Sequence, residues 1–154
     1  MTYDSLVLEL ANEGVEVIEH SFCSSALKGL YVDNVIAINY KSIATDKEKA
    51  CILAEEYGHY CTSYGNILNQ RKMTNVKQEK RARNWAYEKL VPLEKLIEAH
   101  EAGVRNCYDL VDFLEVTEDF LKDALKHYTE KFGLYVIQED YLIYFSPLGI
   151  VREL

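Results

Sequence analysis

Residues 45–63 constrain this chain most: they must form a capped helix that packs hard against a second piece of backbone. Thr45-Asp46-Lys47-Glu48 is a capping box, in which the threonine hydroxyl takes the N3 amide and the glutamate reaches back to the cap. The run that follows, CILAEEYGHYCT over residues 51–62, carries Gly58 in the helix interior. Glycine there costs about 1 kcal/mol relative to alanine, so something must compensate, and close approach of another backbone is the usual reason. Gly65-Asn66 breaks the pattern, and the next ten residues read as polar loop. A second helix is predicted over 76–90, ending before Pro92. Its Glu79, Ala82, Ala86 and Leu90 recur at helical spacing along one stripe. Two alanines keep that stripe low, which suits contact at Gly58.

The rest of the chain alternates short strands and helices. Leu6, Val7 and Leu10 are spaced for a helix over 3–12, stopped at Gly14. Val15, Val17 and Phe22 bracket a first strand. Residues 30–32 and 35–39 are β-rich and split by Asp33-Asn34, a hairpin signal because both residue types tolerate positive φ. Helices are predicted over 93–102, 108–114 and 118–132, the last capped by Thr117 and stopped by Gly133. A closing hairpin joins 134–137 to 141–145 around Glu139-Asp140. The expected class is α+β, mainly helical with a small antiparallel sheet, followed by a C-terminal helical region and a terminal hairpin.

Bulk properties exclude several functions. The net charge of −8 opposes a DNA-binding surface covering the whole molecule. No apolar run approaches the roughly 18–20 residues that span a bilayer. The N-terminus lacks the basic-then-apolar pattern of a signal peptide, so a cytoplasmic location is expected. Cys23, Cys51, Cys61 and Cys107 include no C-x-x-C pair and read as buried, reduced thiols. Seven basic and two acidic residues lie between Arg71 and Lys89. That run is either a solvated helix face or a positive patch steering an acidic partner.

The chemistry concentrates on the first long helix. In H-E-x-x-H, two histidines one turn apart hold Zn²⁺ and the glutamate is a general base. Here the five positions are Glu55-Glu56-Tyr57-Gly58-His59, so a glutamate replaces the first histidine. Glu55 and His59 share a face, and Glu56 is rotated about 100° from Glu55, within reach of a water over that face. A hydrolytic zinc site needs a third protein ligand and leaves its fourth position for water. Glu79 is a candidate from the second helix; alternatively it only complements that helix's N-terminal dipole. Glu56 and His59 could instead pair at i, i+3, as in carboxylate-bridged iron sites, or the position could hold no metal. His20, His100 and His127 are scattered and read as surface or satisfied core residues. Tyr57, Tyr60 and Tyr64 lie near the motif, and nothing selects one of them to stabilise an oxyanion. There is no phosphate-binding glycine loop and no G-x-S-x-G elbow.

The string LAEEYGHY, followed from Glu79 to Pro92 by E-x-x-A-x-x-W-A-x-x-x-L-x-P, resembles the ImmA/IrrE family of metallo-endopeptidases of prophages and integrative elements. The resemblance covers residues 10–92 and implies a zincin-like domain over 1–92. Residues 93–154 would be a C-terminal helical region with a closing β-hairpin, packed as part of the same unit. It further implies that Glu55, His59 and Glu79 bind Zn²⁺ and that Glu56 is the catalytic base. A second carboxylate among the ligands makes Mn²⁺ or Fe²⁺ more competitive. The implied substrate is a helix-turn-helix transcriptional repressor, laid extended along the edge of the small sheet, with no direct nucleic-acid or membrane partner. Because Glu55 departs from the family pattern, the alternative is an inactive member that binds the repressor as an interaction module.

Overall fold

A computed structural model describes residues 1–63 and 72–153. They form two compact units, Met1–Ala86 and Tyr87–Leu154. In the first, α1 (Tyr3–Asn12) starts where the Thr2 hydroxyl accepts the Ser5 amide. Three short strands follow: β1 (Glu16–His20), β2 (Gly29–Val32) and β3 (Val35–Asn39). Asp33 and Asn34 both take positive φ, 48° and 62°, the geometry of a two-residue turn whose twist matches the flanking strands. β2 and β3 are therefore antiparallel, with Val32 opposite Val35. β1 pairs with the other side of β3 in parallel, so the sheet order is β1-β3-β2. The α+β expectation holds, but the sheet is mixed rather than purely antiparallel.

β1 and β2 run antiparallel on either side of β3; residues 21–28 join them over the end of β3, and β2 returns the chain so that β3 runs parallel to β1. Asn39 pins that connection. Its buried side-chain amide donates to the Leu27 carbonyl at 2.9 Å, the Ser24 carbonyl at 3.2 Å and the Ser42 hydroxyl at 2.9 Å. Its oxygen accepts the Phe22 amide at 3.3 Å. A buried amide with every polar atom partnered fixes the loop that a hydrophobic residue there would leave loose.

The inner face of the sheet, carrying Ile36 and Ile38, is buried and packs on α2 (Asp46–Thr62). Thr45 Oγ1 accepts the Glu48 amide, and Glu48 Oε2 accepts the Ala44 amide at 2.9 Å. The capping box thus forms, its return bond one residue upstream of the cap. α3 spans Lys72–Leu90, beginning four residues before the sequence pattern suggests. Tyr64, Gly65, Asn66 and Arg71 lie outside the described residues.

In the second unit, α4 (Leu93–Glu101) begins at Pro92, whose fixed φ suits a helix start. α5 (Cys107–Leu114) is capped by Asn106, and α6 (Glu118–Phe132) by Thr117. α5 ends at Glu115, which takes a left-handed conformation with φ 58°, and the next residue, Val116, is fully buried. Gly133 ends α6 with positive φ. The closing sheet has three strands, not two: β4 (Tyr135–Gln138), β5 (Tyr141–Phe145) and β6 (Leu148–Arg152), all antiparallel with β5 central. β6 follows the Ser146–Pro147 turn and reads weakly in sequence because it is short and contains Gly149. Tyr128 anchors this unit, donating to the Val91 carbonyl at 2.8 Å and stacking on Phe132 and Phe145.

Candidate active site

The close approach predicted from Gly58 exists, and the partner is the backbone of α3. A Cβ at position 58 would lie 2.2 Å from the Ala82 carbonyl oxygen and 2.8 Å from its carbon. Only a hydrogen fits there. Ala82 and Ala86 are fully buried, as the low stripe required. Trp85 caps the contact from the side, its ring 4.7 Å from that of Tyr57.

One turn before Ala82, the same approach carries Glu79 to His59. Glu79 Oε1 lies 3.3 Å from His59 Nε2, with the histidine 20% and the glutamate 52% exposed. An imidazole nitrogen and a carboxylate oxygen from two helices thus meet at a solvent-accessible point. The N-terminal-dipole reading of Glu79 does not explain that convergence. Glu55 is half-buried one turn before His59, and its charge is felt at Glu56. Among the described residues, no group of three or more His, Cys, Asp or Glu side chains is gathered tightly enough to hold a metal ion. His59 and Glu79 of the suggested set are together, and Glu55 is not gathered with them into a group of three. In donor chemistry the set suits a divalent cation: an imidazole nitrogen and carboxylate oxygens.

Glu56 is strongly perturbed. Its carboxyl is pushed up to about 7, by burial first and then by the charges of Glu55 and Glu79; the Tyr31 amide pulls the other way. The side chain lies against β2, where a Cβ on Gly29 would be 2.8 Å from both Glu56 Cγ and Oε1 and 3.0 Å from Ile52 Cγ2. Gly29 thus makes room for the carboxylate at the sheet edge. Sequence reading passed over Gly29, although a glycine inside a strand is itself a sign of close approach. A proton held near neutrality, by an acid beside two potential ligands, suits general acid–base work.

The remaining candidates separate cleanly. Tyr57 is buried against Trp85, and the Tyr60 hydroxyl donates to Glu13 Oε2 at 3.3 Å; Tyr64 lies outside the described residues. His127 is buried and 2.8 Å from Glu88 Oε1, a satisfied core residue, while the rings of His20 and His100 lie against Phe22 and Tyr141. Lys77 and Arg81 are exposed on the side of α3 opposite Ala82 and Ala86. For these two residues that placement is a solvated helix face. Of the four cysteines only Cys51 is buried, correcting the expectation of four buried thiols; none forms a disulfide.

A family model described as the IrrE N-terminal-like domain, Peptidase_M78, matches residues 11–126. The match runs through α4, α5 and half of α6, well past the 10–92 span that carries the motifs. No curated protein and no solved structure matches the chain. Among the described residues no helix is long and apolar enough to cross a membrane.

Proposed function

The chain belongs to the IrrE N-terminal-like domain family of peptidases, generally metal-dependent enzymes, and on that premise we propose that it is a metallo-endopeptidase cleaving a helix-turn-helix repressor of a prophage or integrative element. One observation carries the reading: Glu56, an acid poised near neutrality, lies beside the His59–Glu79 pair and against the free edge of β2. His59 and Glu79 would hold a divalent cation, Zn²⁺ first and Mn²⁺ or Fe²⁺ as competitors. Glu55 would complete the set by a rotamer change, since it lies one helical turn from His59 on the same face. The cation would supply Lewis-acid polarisation of the scissile carbonyl.

The protein's own groups account for the proton traffic. Glu56 is ionised in a useful fraction of molecules near neutral pH. It takes a proton from the attacking water as the tetrahedral species forms, then delivers it to the leaving amine as the C–N bond breaks. Burial beneath β2 keeps its carboxylate aimed from one side. The substrate lies extended beside β2, with backbone hydrogen bonds fixing the scissile bond over the helix.

The test is incubation of the purified, metal-loaded chain with the repressor encoded beside its gene. Cleavage that stops on chelation and in Glu56→Gln, with the circular dichroism spectrum unchanged, supports the proposal. Wild-type cleavage by Glu56→Gln sinks it. The lack, among the described residues, of a group of three side chains able to hold a metal favours a second reading, a repressor-binding module without hydrolysis. Tight, metal-independent binding with no cleaved product is its signature.

A further inference from the structure

The two outer edges of the first sheet are built differently. β1 carries Glu16 and Glu19, the latter paired with Lys49. Charges of this kind are how natural proteins keep an edge strand from pairing with another chain. β2 reads Gly-Leu-Tyr-Val, with no charge, proline or bulge. Val32 and Val35 flank the two-residue turn and so form a bonded pair, and bonded pairs then alternate along the ladder. The next pair of that alternation, Lys28 with Asn39, is bonded through the Asn39 amide at 2.9 Å. The main-chain groups of Gly29 and Tyr31 consequently point away from β3. The Tyr31 amide lowers the proton affinity of Glu56 by a hydrogen bond; among the described residues, the Tyr31 carbonyl and both groups of Gly29 face the outer edge, where an incoming strand would bond them.

Side chains along β2 divide by face. Gly29 and Tyr31 lie on the α2 side, as the Gly29 contacts with Glu56 and Ile52 show. Leu30 and Val32 lie on the other face and are 44% and 51% exposed. Ile18 continues the apolar surface across Ala37, which pairs with both Ile18 and Leu30, and is itself 40% exposed. An open edge bearing exposed aliphatic side chains beside Glu56 is a liability unless a strand is meant to cover it.

We propose that Leu30 and Val32 determine specificity: the segment bound at β2 is an extended peptide with aliphatic side chains at two alternate positions, i and i+2, placed opposite them. This deepens the peptidase reading and rests on it for the purpose of the site. Alternation follows from strand geometry, because residues two apart share a face. The aliphatic preference follows from cross-strand pairing, in which β-branched and aliphatic neighbours stabilise one another directly across a ladder.

The test uses the ¹⁵N-labelled full chain and two blocked synthetic peptides, Lys-Thr-Val-Thr-Val-Thr-Lys and the same peptide with both valines changed to asparagine. The valine peptide is expected to shift the amides of residues 29–32 and to bind about tenfold more tightly than the asparagine peptide, from two cross-strand pairs. The double variant Leu30→Lys, Val32→Lys changes only exposed positions and should abolish that preference. Equal affinities, shifts confined to other residues, or no binding of either peptide overturn the proposal. Mass spectrometry of the same samples separates the two readings. Selective binding without cleavage keeps this inference and counts against the peptidase, whereas unselective cleavage does the reverse.

Discussion

Replacing Gly58 by alanine sets two effects of opposite sign against each other. In an open helix the change would stabilise by about 1 kcal/mol, from the propensity difference alone. Here the new methyl would lie 2.2 Å from the Ala82 carbonyl oxygen, and ordinary contact distances require a retreat of about 1 Å or more. The obstacle is backbone held by its own helical hydrogen bonds, so no side-chain rotation relieves it. Overpacking of this kind costs about 1–3 kcal/mol, which outweighs the propensity gain. The same displacement would separate Glu79 from His59, now 3.3 Å apart. Ligand misplacement of about 1 Å is worth on the order of a hundredfold in site function. Urea denaturation should therefore show a net loss of up to about 2 kcal/mol. Metal content after dialysis against buffered zinc should fall well below that of the wild type. A variant about 1 kcal/mol more stable, with undiminished metal uptake, would refute the close-approach argument and with it the pairing of the two helices at the site.

Three further outcomes follow from the site and its helix. The Glu56 carboxyl is raised to about 7, so the metal-free fold is most stable below about pH 4.5 with respect to this group and loses stability as pH rises through 7. The loss approaches roughly 3 kcal/mol and then levels off. Metal-free Glu56→Gln should accordingly be more stable than wild type at pH 8 by chemical denaturation, and finding it less stable contradicts the buried-carboxylate account. Glu55→His restores the two-imidazole pattern and should tighten zinc binding in a competition titration with a chromophoric chelator; unchanged affinity would show that position 55 does not reach the ion. Thr45→Ala removes the hydroxyl that accepts the Glu48 amide and should cost about 1 kcal/mol in thermal denaturation, with zinc affinity unchanged because the cap lies nearly three turns from Glu55.

Much of the fold was legible because its signals are local. The α1 bounds, the Thr45 and Thr117 caps, the Asp33-Asn34 turn and the Gly133 stop each depend on residues a few positions apart. The early start of α3 escaped because its first turns are polar and carry no periodic apolar signal. The parallel pairing of β1 escaped for another reason. It rests on Asn39 binding loop atoms twelve to seventeen residues away, and no short-range pattern announces such a contact. The site divides in the same way. Glu56 and His59 could be picked from one helix, and Glu79 from the stripe it shares with two alanines, since helical spacing alone puts residues on a common face.

The sequence by itself determined that a helix here must meet another backbone, because an interior glycine loses stability that only packing restores. It also determined which carboxylates and which imidazole could share a face. Only the tertiary structure decided that the meeting point is the Ala82 carbonyl, that His59 and Glu79 arrive together, and that Glu56 is buried against Gly29. Those distances, and the proton affinity they impose on Glu56, depend on groups brought together from separate elements, where the desolvation and charge that set a carboxyl's behaviour have no counterpart along the chain.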